Sequence, residues 1–83
     1  MAHVKVVWSQ GSYASYDELF LEGDYKRVSF DGMELVVGNK RIRDLVWFQE
    51  KAEEENNPYI LNDASEILYL EIDGKVFRDV KEE

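Results

Sequence analysis

Two Asp-Gly pairs, in "YKRVSFDGMELVV" and in "EILYLEIDGKVFRDV", each separate two runs rich in alternating apolar residues. A type I′ turn holds both central residues at φ > 0, which Asp-Gly tolerates, so the pattern is a strong short-range signal for a β-hairpin. In the first, a two-residue turn at Asp31-Gly32 would pair Phe30 with Met33 and Val28 with Leu35 on one face. Ser29 with Glu34 and Arg27 with Val36 would then fall on a wetter face. In the second, a turn at Asp73-Gly74 would pair Leu70 with Phe77 and Ile67 with Val80 on opposite faces. A hairpin apolar on both faces belongs in the middle of a sheet or under a helix.

"HVKVVW" alternates Val4, Val6 and Trp8 against Lys5 and Val7 and reads as a further strand. The stretch 15–22 has two readings. Ser15 with Glu18 forms a capping box and Gly23 a helix stop, whereas Leu19-Phe20-Leu21 suits a strand; a short helix is the expectation. The main helix is expected over 41–56, "RIRDLVWFQEKAEEEN", where Ile42, Leu45, Val46, Phe48, Gln49 and Ala52 fall on one core-facing arc. Asn56-Asn57-Pro58 ends it, because the residue before proline is pushed out of the α region. The fold expected is a single α+β domain over 1–83: an antiparallel sheet of about five strands, built from the two Asp-Gly hairpins and the N-terminal strand, with one main helix packed on it.

A chain of 83 residues buries only about 60 to 65% of its unfolded surface, enough for one modest core and little room for a deep cleft. Its two Trp, five Tyr and four Phe argue against disorder. With no cysteine it can form neither disulfides nor thiolate zinc sites, and a cytoplasmic location is expected. The start, "MAHVKVVWSQ", lacks the apolar core of a signal peptide, and no run of apolar residues is long enough to span a bilayer.

Net charge is −8, and its placement is one-sided. Residues 1–43 carry six acids and six bases, whereas residues 44–83 carry twelve acids and four bases. Such a surface disfavours direct contact with nucleic acid or anionic membrane and points to a protein partner with a basic surface. Within the helix, Trp47 points away from the apolar arc, among Arg43, Glu50, Lys51 and Glu54. A loop or the N-terminal segment covers it, or it is an aromatic anchor with a carboxylate rim. Glu50, Glu53, Glu54 and Glu55 crowd the end of a helix whose macrodipole opposes negative charge, so local helix stability does not call for them. Trp47, Glu50, Glu53, Glu54 and Glu55 are therefore the candidate partner-binding residues.

Catalytic chemistry is poorly represented. His3 is the only histidine and is expected to be solvated, and no phosphate loop or dinucleotide fingerprint is present. The acid pairs Asp17/Glu18, Glu22/Asp24 and Asp63/Glu66 flank turns, where water screens them from the burial a general acid needs. "LNDASE", residues 61–66, offers oxygen ligands without the spacing or central glycine of a calcium loop and is expected to be a plain loop. Lys40, Arg41 and Arg43, at the start of the expected helix, could grip an anion but are expected to form internal ion pairs with the downstream acids. The tyrosines 13, 16, 25, 59 and 69 suit an interface or a half-buried strand face. No metal or cofactor is expected.

The function expected is non-catalytic: an acidic interaction protein, an inhibitor that occupies the nucleic-acid-binding surface of a partner by charge mimicry, as phage or mobile-element anti-defence proteins do. One rival is an assembly protein, such as a virion component, that self-associates through strand edges. The other is a small carboxylate-dependent enzyme.

Overall fold

The computed structural model describes residues 1–12 and 15–80, without the side chains of residues 12, 15 and 16. Its elements run β1 (Ala2–Ser12), β2 (Ser15–Tyr25), β3 (Val28–Phe30), β4 (Glu34–Val37), β5 (Lys40–Arg43), α1 (Leu45–Glu54), a 3₁₀ helix (Pro58–Asp63), β6 (Ser65–Ile72) and β7 (Lys75–Asp79). The fold is α+β, but the strands form two antiparallel sheets, in the orders β2-β1-β6-β7 and β3-β4-β5, and not one sheet of five.

Stretch 15–25 is the first reason for the difference. It is strand throughout, in continuous register with β1 from Ala2↔Tyr25 to Ser12↔Ser15, so the short helix expected over 15–22 does not form. Its period-2 pattern outweighs the capping signal: Leu19 and Leu21 lie opposite Trp8 and Val6 and pack on the core, while Glu18, Phe20 and Glu22 face out. Only Lys26 and Arg27 separate β2 from β3, where the chain passes from the first sheet to the second and Gly38 N donates to Arg27 O at 2.7 Å.

The second reason is β5. Val37 pairs with Lys40 across Gly38-Asn39, with Gly38 alone of the two at positive φ (60°), the pattern of a type II′ hairpin. Residues 41–43 are therefore strand, and α1 begins only at Leu45, behind the N-cap Asp44. The helix ends at Glu54, and Asn56 turns the chain at φ 51° before Pro58.

The two hairpins anticipated at Asp-Gly differ from expectation in different ways. Between β3 and β4 the pairs are Val28↔Val37, Ser29↔Val36 and Phe30↔Leu35, leaving a four-residue loop. Asp31 shapes it by accepting from Met33 N (2.9 Å) and Glu34 N (2.8 Å) through Oδ1, and Gly32 sits at φ 97°. The register moves by two residues, an even step that keeps Val28, Phe30 and Leu35 on one face. Between β6 and β7, Ile72 pairs with Lys75 across Asp73 (φ 52°) and Gly74 (φ 84°). A bulge follows, Glu71↔Val76 then Leu70↔Arg78, so Phe77 is stepped over and does not face Leu70. Phe77 instead meets Phe30 edge to face, with ring centroids 6.3 Å apart.

One core lies between the sheets. Val4, Val6, Trp8, Ile67 and Leu70 come from the first, and Leu35, Val37 and Ile42 from the second. Of the helix positions expected to line it, Ile42 does so from a strand and Ala52 is buried at the helix itself. Leu45 and Phe48 are only half-buried, and Val46 and Gln49 are exposed. The helix is an accessory to a β core. Among the described residues no helix is long and apolar enough to cross a membrane.

Candidate interaction surface

Helix α1 is fixed at its start by Asp44 and carries its acids at the other end, where the chain packs back with Asn57 N donating to Ala52 O at 2.8 Å. At its start Asp44, 1% exposed, accepts from Val46 N (3.4 Å), from Ile67 N on β6 (2.9 Å) and from Arg78 Nη1 on β7 (2.8 Å). Its own N–H donates to Met33 O at 2.7 Å. One carboxylate thus caps the helix and ties it to β6 and β7 of the first sheet, while the backbone N–H of the same residue reaches the β3–β4 loop. At the far end Glu50, Glu53, Glu54 and Glu55 are all exposed. Among the described residues, the base paired with them is Lys51, 3.7 Å from Glu54 and 3.4 Å from Glu55. Such exposed pairs are each worth about 0 to 1 kcal/mol, so the end of the helix stays strongly negative.

Trp47 is half-buried, with side chains packed on its ring. The Arg43 guanidinium sits 4.3 Å from the ring centroid, Lys51 Nζ 6.0 Å from it, and the Phe48 ring meets it edge-on at 4.9 Å. Cation–π contacts of this kind add about 0.5 to 1 kcal/mol each at exposed sites and pre-set the orientation of the indole. Trp47, Met33, Glu50, Lys51, Glu53 and Glu54 together line a shallow recess of about 390 Å³. The structure thereby brings together Trp47, Glu50, Glu53 and Glu54 on one surface, with Glu55 next to them at the helix end.

Lys40, Arg41 and Arg43 lie on β5, not on the helix, so no helix N-terminus aids them. Arg41 (3.3 Å) and Arg43 (3.0 Å) both pair with Glu34 on the neighbouring strand, an acid upstream in the chain and not one of those downstream. Lys40 Nζ lies 5.6 Å from the Trp8 ring centroid. These bases border a groove of about 500 Å³ that Trp8, Ile42, Phe48 and Ser65 also line.

His3 has partners that the sequence does not suggest. The β1–β2 register sets it opposite Asp24, and its ring nitrogens lie 3.0 Å from Asp24 Oδ1 and 3.0 Å from Glu22 Oε2. The hydrogen bond to Glu22 first, then that to Asp24, raises the imidazole pKa above 6.5. Reading 15–25 as a strand would have revealed the cluster, because period-2 pairing aligns His3, Glu22 and Asp24 on one face. The Asp31 carboxylate is shifted down by the N–H groups of Met33 and Glu34, and the Tyr69 hydroxyl is shifted up by its hydrogen bond to Glu71.

Of the other candidate chemistry, Asp17 and Glu18 are exposed on β2, Asp63 ends the 3₁₀ helix and Glu66 lies on β6. Among the described residues no three His, Cys, Asp or Glu side chains are placed to hold a metal ion. Residues 61–63 belong to the 3₁₀ helix and not to a loop. Tyr59 is 76% exposed and Tyr25 packs against the core; Tyr13 and the Tyr16 side chain lie outside the described residues. Comparisons with protein-family models, curated proteins and solved structures return no match.

Proposed function

We propose that the protein is a non-catalytic inhibitor that lays the acidic end of α1 on the basic, nucleic-acid-binding surface of another protein. One observation carries the reading: three exposed glutamates share a recess with a half-buried tryptophan whose ring is already oriented by Arg43, and a fourth, Glu55, follows at the helix end. The glutamates supply the field that draws a basic surface in, and the indole supplies the desolvated contact that holds it. Their separation from the core supports a surface role, since α1 contributes no residue to the central cluster. Charge mimicry of this kind suits the phage or mobile-element proteins that disarm nucleic-acid-handling defences.

Capture from a native lysate tests the reading. The tagged protein is expected to retain a basic protein that duplex DNA displaces. A variant carrying Glu50→Gln, Glu53→Gln, Glu54→Gln and Glu55→Gln is expected to lose it. A captured protein indifferent both to DNA and to the four substitutions would refute the proposal.

A second reading, self-assembly through strand edges, draws on the exposed Phe20 of β2 (61%) and on Val76 (49%) and Phe77 (44%) of β7, the two outer strands of the first sheet. Mass measured as a function of concentration separates it from the first: assembly requires the mass to rise.

A further inference from the structure

β2 is bonded on one side only. It is the terminal strand of its sheet, paired with β1 along its whole length, and among the described residues no backbone hydrogen bond reaches its other edge. Exposed edges are usually blunted by charged side chains, lysine above all, or by proline; β2 has no lysine or proline, and its charges are the acids Asp17, Glu18, Glu22 and Asp24.

The face turned away from the core runs in cross-strand rows. Tyr69, Val7 and Phe20 stand side by side on β6, β1 and β2, and in the next row Glu71, Lys5 and Glu22 do the same. Both rows stop at the open edge. The first ends on Phe20, 61% exposed; the second, alternating acid, base, acid, ends on Glu22, also exposed. Glu18 lies on the same face, on the other side of Phe20. An added strand would continue the rows with an apolar residue beside Phe20 and a base beside each glutamate.

We propose that the β2 edge accepts an extended segment of another protein as a further strand, and that this segment reads base–x–apolar–x–base. The main-chain ladder would supply affinity and the alternate side chains specificity, as in other cases of strand addition. A second copy fits less well. Antiparallel pairing of two β2 strands about Phe20 sets Glu18 against Glu22 twice, and like charges directly opposite repel. β7 of a second copy offers Lys75-x-Phe77-x-Asp79, whose third position is an acid where the pattern needs a base. The surface is separate from α1, so this proposal stands or falls independently of the one above.

The test uses the full chain, ¹⁵N-labelled, and a capped peptide of about seven residues, Lys-Ser-Val-Ser-Lys-Ser-Val, whose alternate positions carry lysine, valine and lysine on one face and which spans the row of side chains. Backbone amides between Asp17 and Asp24 are expected to shift and to gain protection from exchange, while those of Glu50 to Glu55 stay in place. Phe20→Lys, at an exposed position, is expected to keep the parent's thermal midpoint and to weaken the peptide by about tenfold, through loss of the apolar contact at the central position and repulsion of the flanking lysines. Equal binding of a glutamate–valine peptide would overturn the proposal. So would equal binding of a lysine peptide whose valines are replaced by proline, which keeps the charge and cannot form the ladder. Shifts confined to α1, or no binding at millimolar peptide, would overturn it too. Protection of β2 without peptide, together with a mass that rises with concentration, would assign the edge to a second copy instead.

Discussion

At Asp44 a carboxylate that is 1% exposed receives three hydrogen bonds, from Val46 N, Ile67 N and the Arg78 guanidinium. Removing it uncaps α1, strands a buried N–H on β6 and leaves Arg78, whose side chain is 24% exposed, without its carboxylate. Breaking a buried pair on one side costs roughly 3 to 5 kcal/mol, and Asp44→Ala is expected to fall in that range by chemical denaturation. Asp44→Asn, which keeps an acceptor for the two N–H groups, is expected to cost less. His3 gives the second prediction at this scale. Its pKa is raised in the fold, so its stabilising contribution is complete below pH 6.5 and is lost as pH rises through the higher folded value. The thermal midpoint of His3→Gln is therefore expected to lie below the parent's near about pH 5.5 and to converge on it near about pH 8.5. An equal gap at both pH values would show that the two hydrogen bonds contribute nothing to linkage. Neither residue stood out in the sequence. Asp44 is an ordinary N-cap aspartate, hidden once the helix is taken to begin at residue 41; His3 finds its partners some twenty residues along the chain, through strand register.

Strand and helix compete at the level of elements, and the sequence signals were strongest where one period was unopposed. β1 was legible because Val4, Val6 and Trp8 alternate with no capping or turn residue among them. β2 was not, because Ser15, Glu18 and Gly23 imitate helix punctuation in a strand whose register is set by β1. β5 was concealed by continuity: "RIRDLVWFQ" carries one helical pattern across a boundary that only the Gly38 turn and the Asp44 cap define. The consequence for stability can be measured. Leu35 is fully buried between the sheets, whereas Leu45 on α1 is half-buried outside the central cluster. Leu35→Ala is expected to cost roughly 2 to 5 kcal/mol, the range of core truncations, and Leu45→Ala clearly less. Equal losses from the two, by urea unfolding, would mean that the helix is part of the core.

Over the whole molecule, a small β core carries charge of two kinds on separate elements. The bases of β5 are spent within the fold, on Glu34 and over Trp8 and Trp47. Among the described residues, Glu54 and Glu55 at the end of α1 pair with Lys51. The grouping of Trp47 with Glu50 and Glu54 could be read from the helical wheel alone, because they lie three and seven residues on; Glu53, six residues on, falls on another side of the wheel and joins them only in the folded recess. The wheel sets Arg43 beside Trp47 too, but from within the helix; it reaches the ring from β5. If these glutamates draw in a basic partner, they act before contact, and opposed potentials can raise association from about 10⁵–10⁶ toward 10⁸–10⁹ M⁻¹s⁻¹ at low salt. The most direct measurement is binding kinetics with the captured partner at two ionic strengths, for the parent and for the variant with all four glutamates changed to glutamine. Slower association with a flatter dependence on salt is expected of that variant, while Trp47→Ala is expected to act mainly by speeding dissociation. Association rates unchanged by the four substitutions at both ionic strengths would contradict the account and leave the end of α1 a solvated surface.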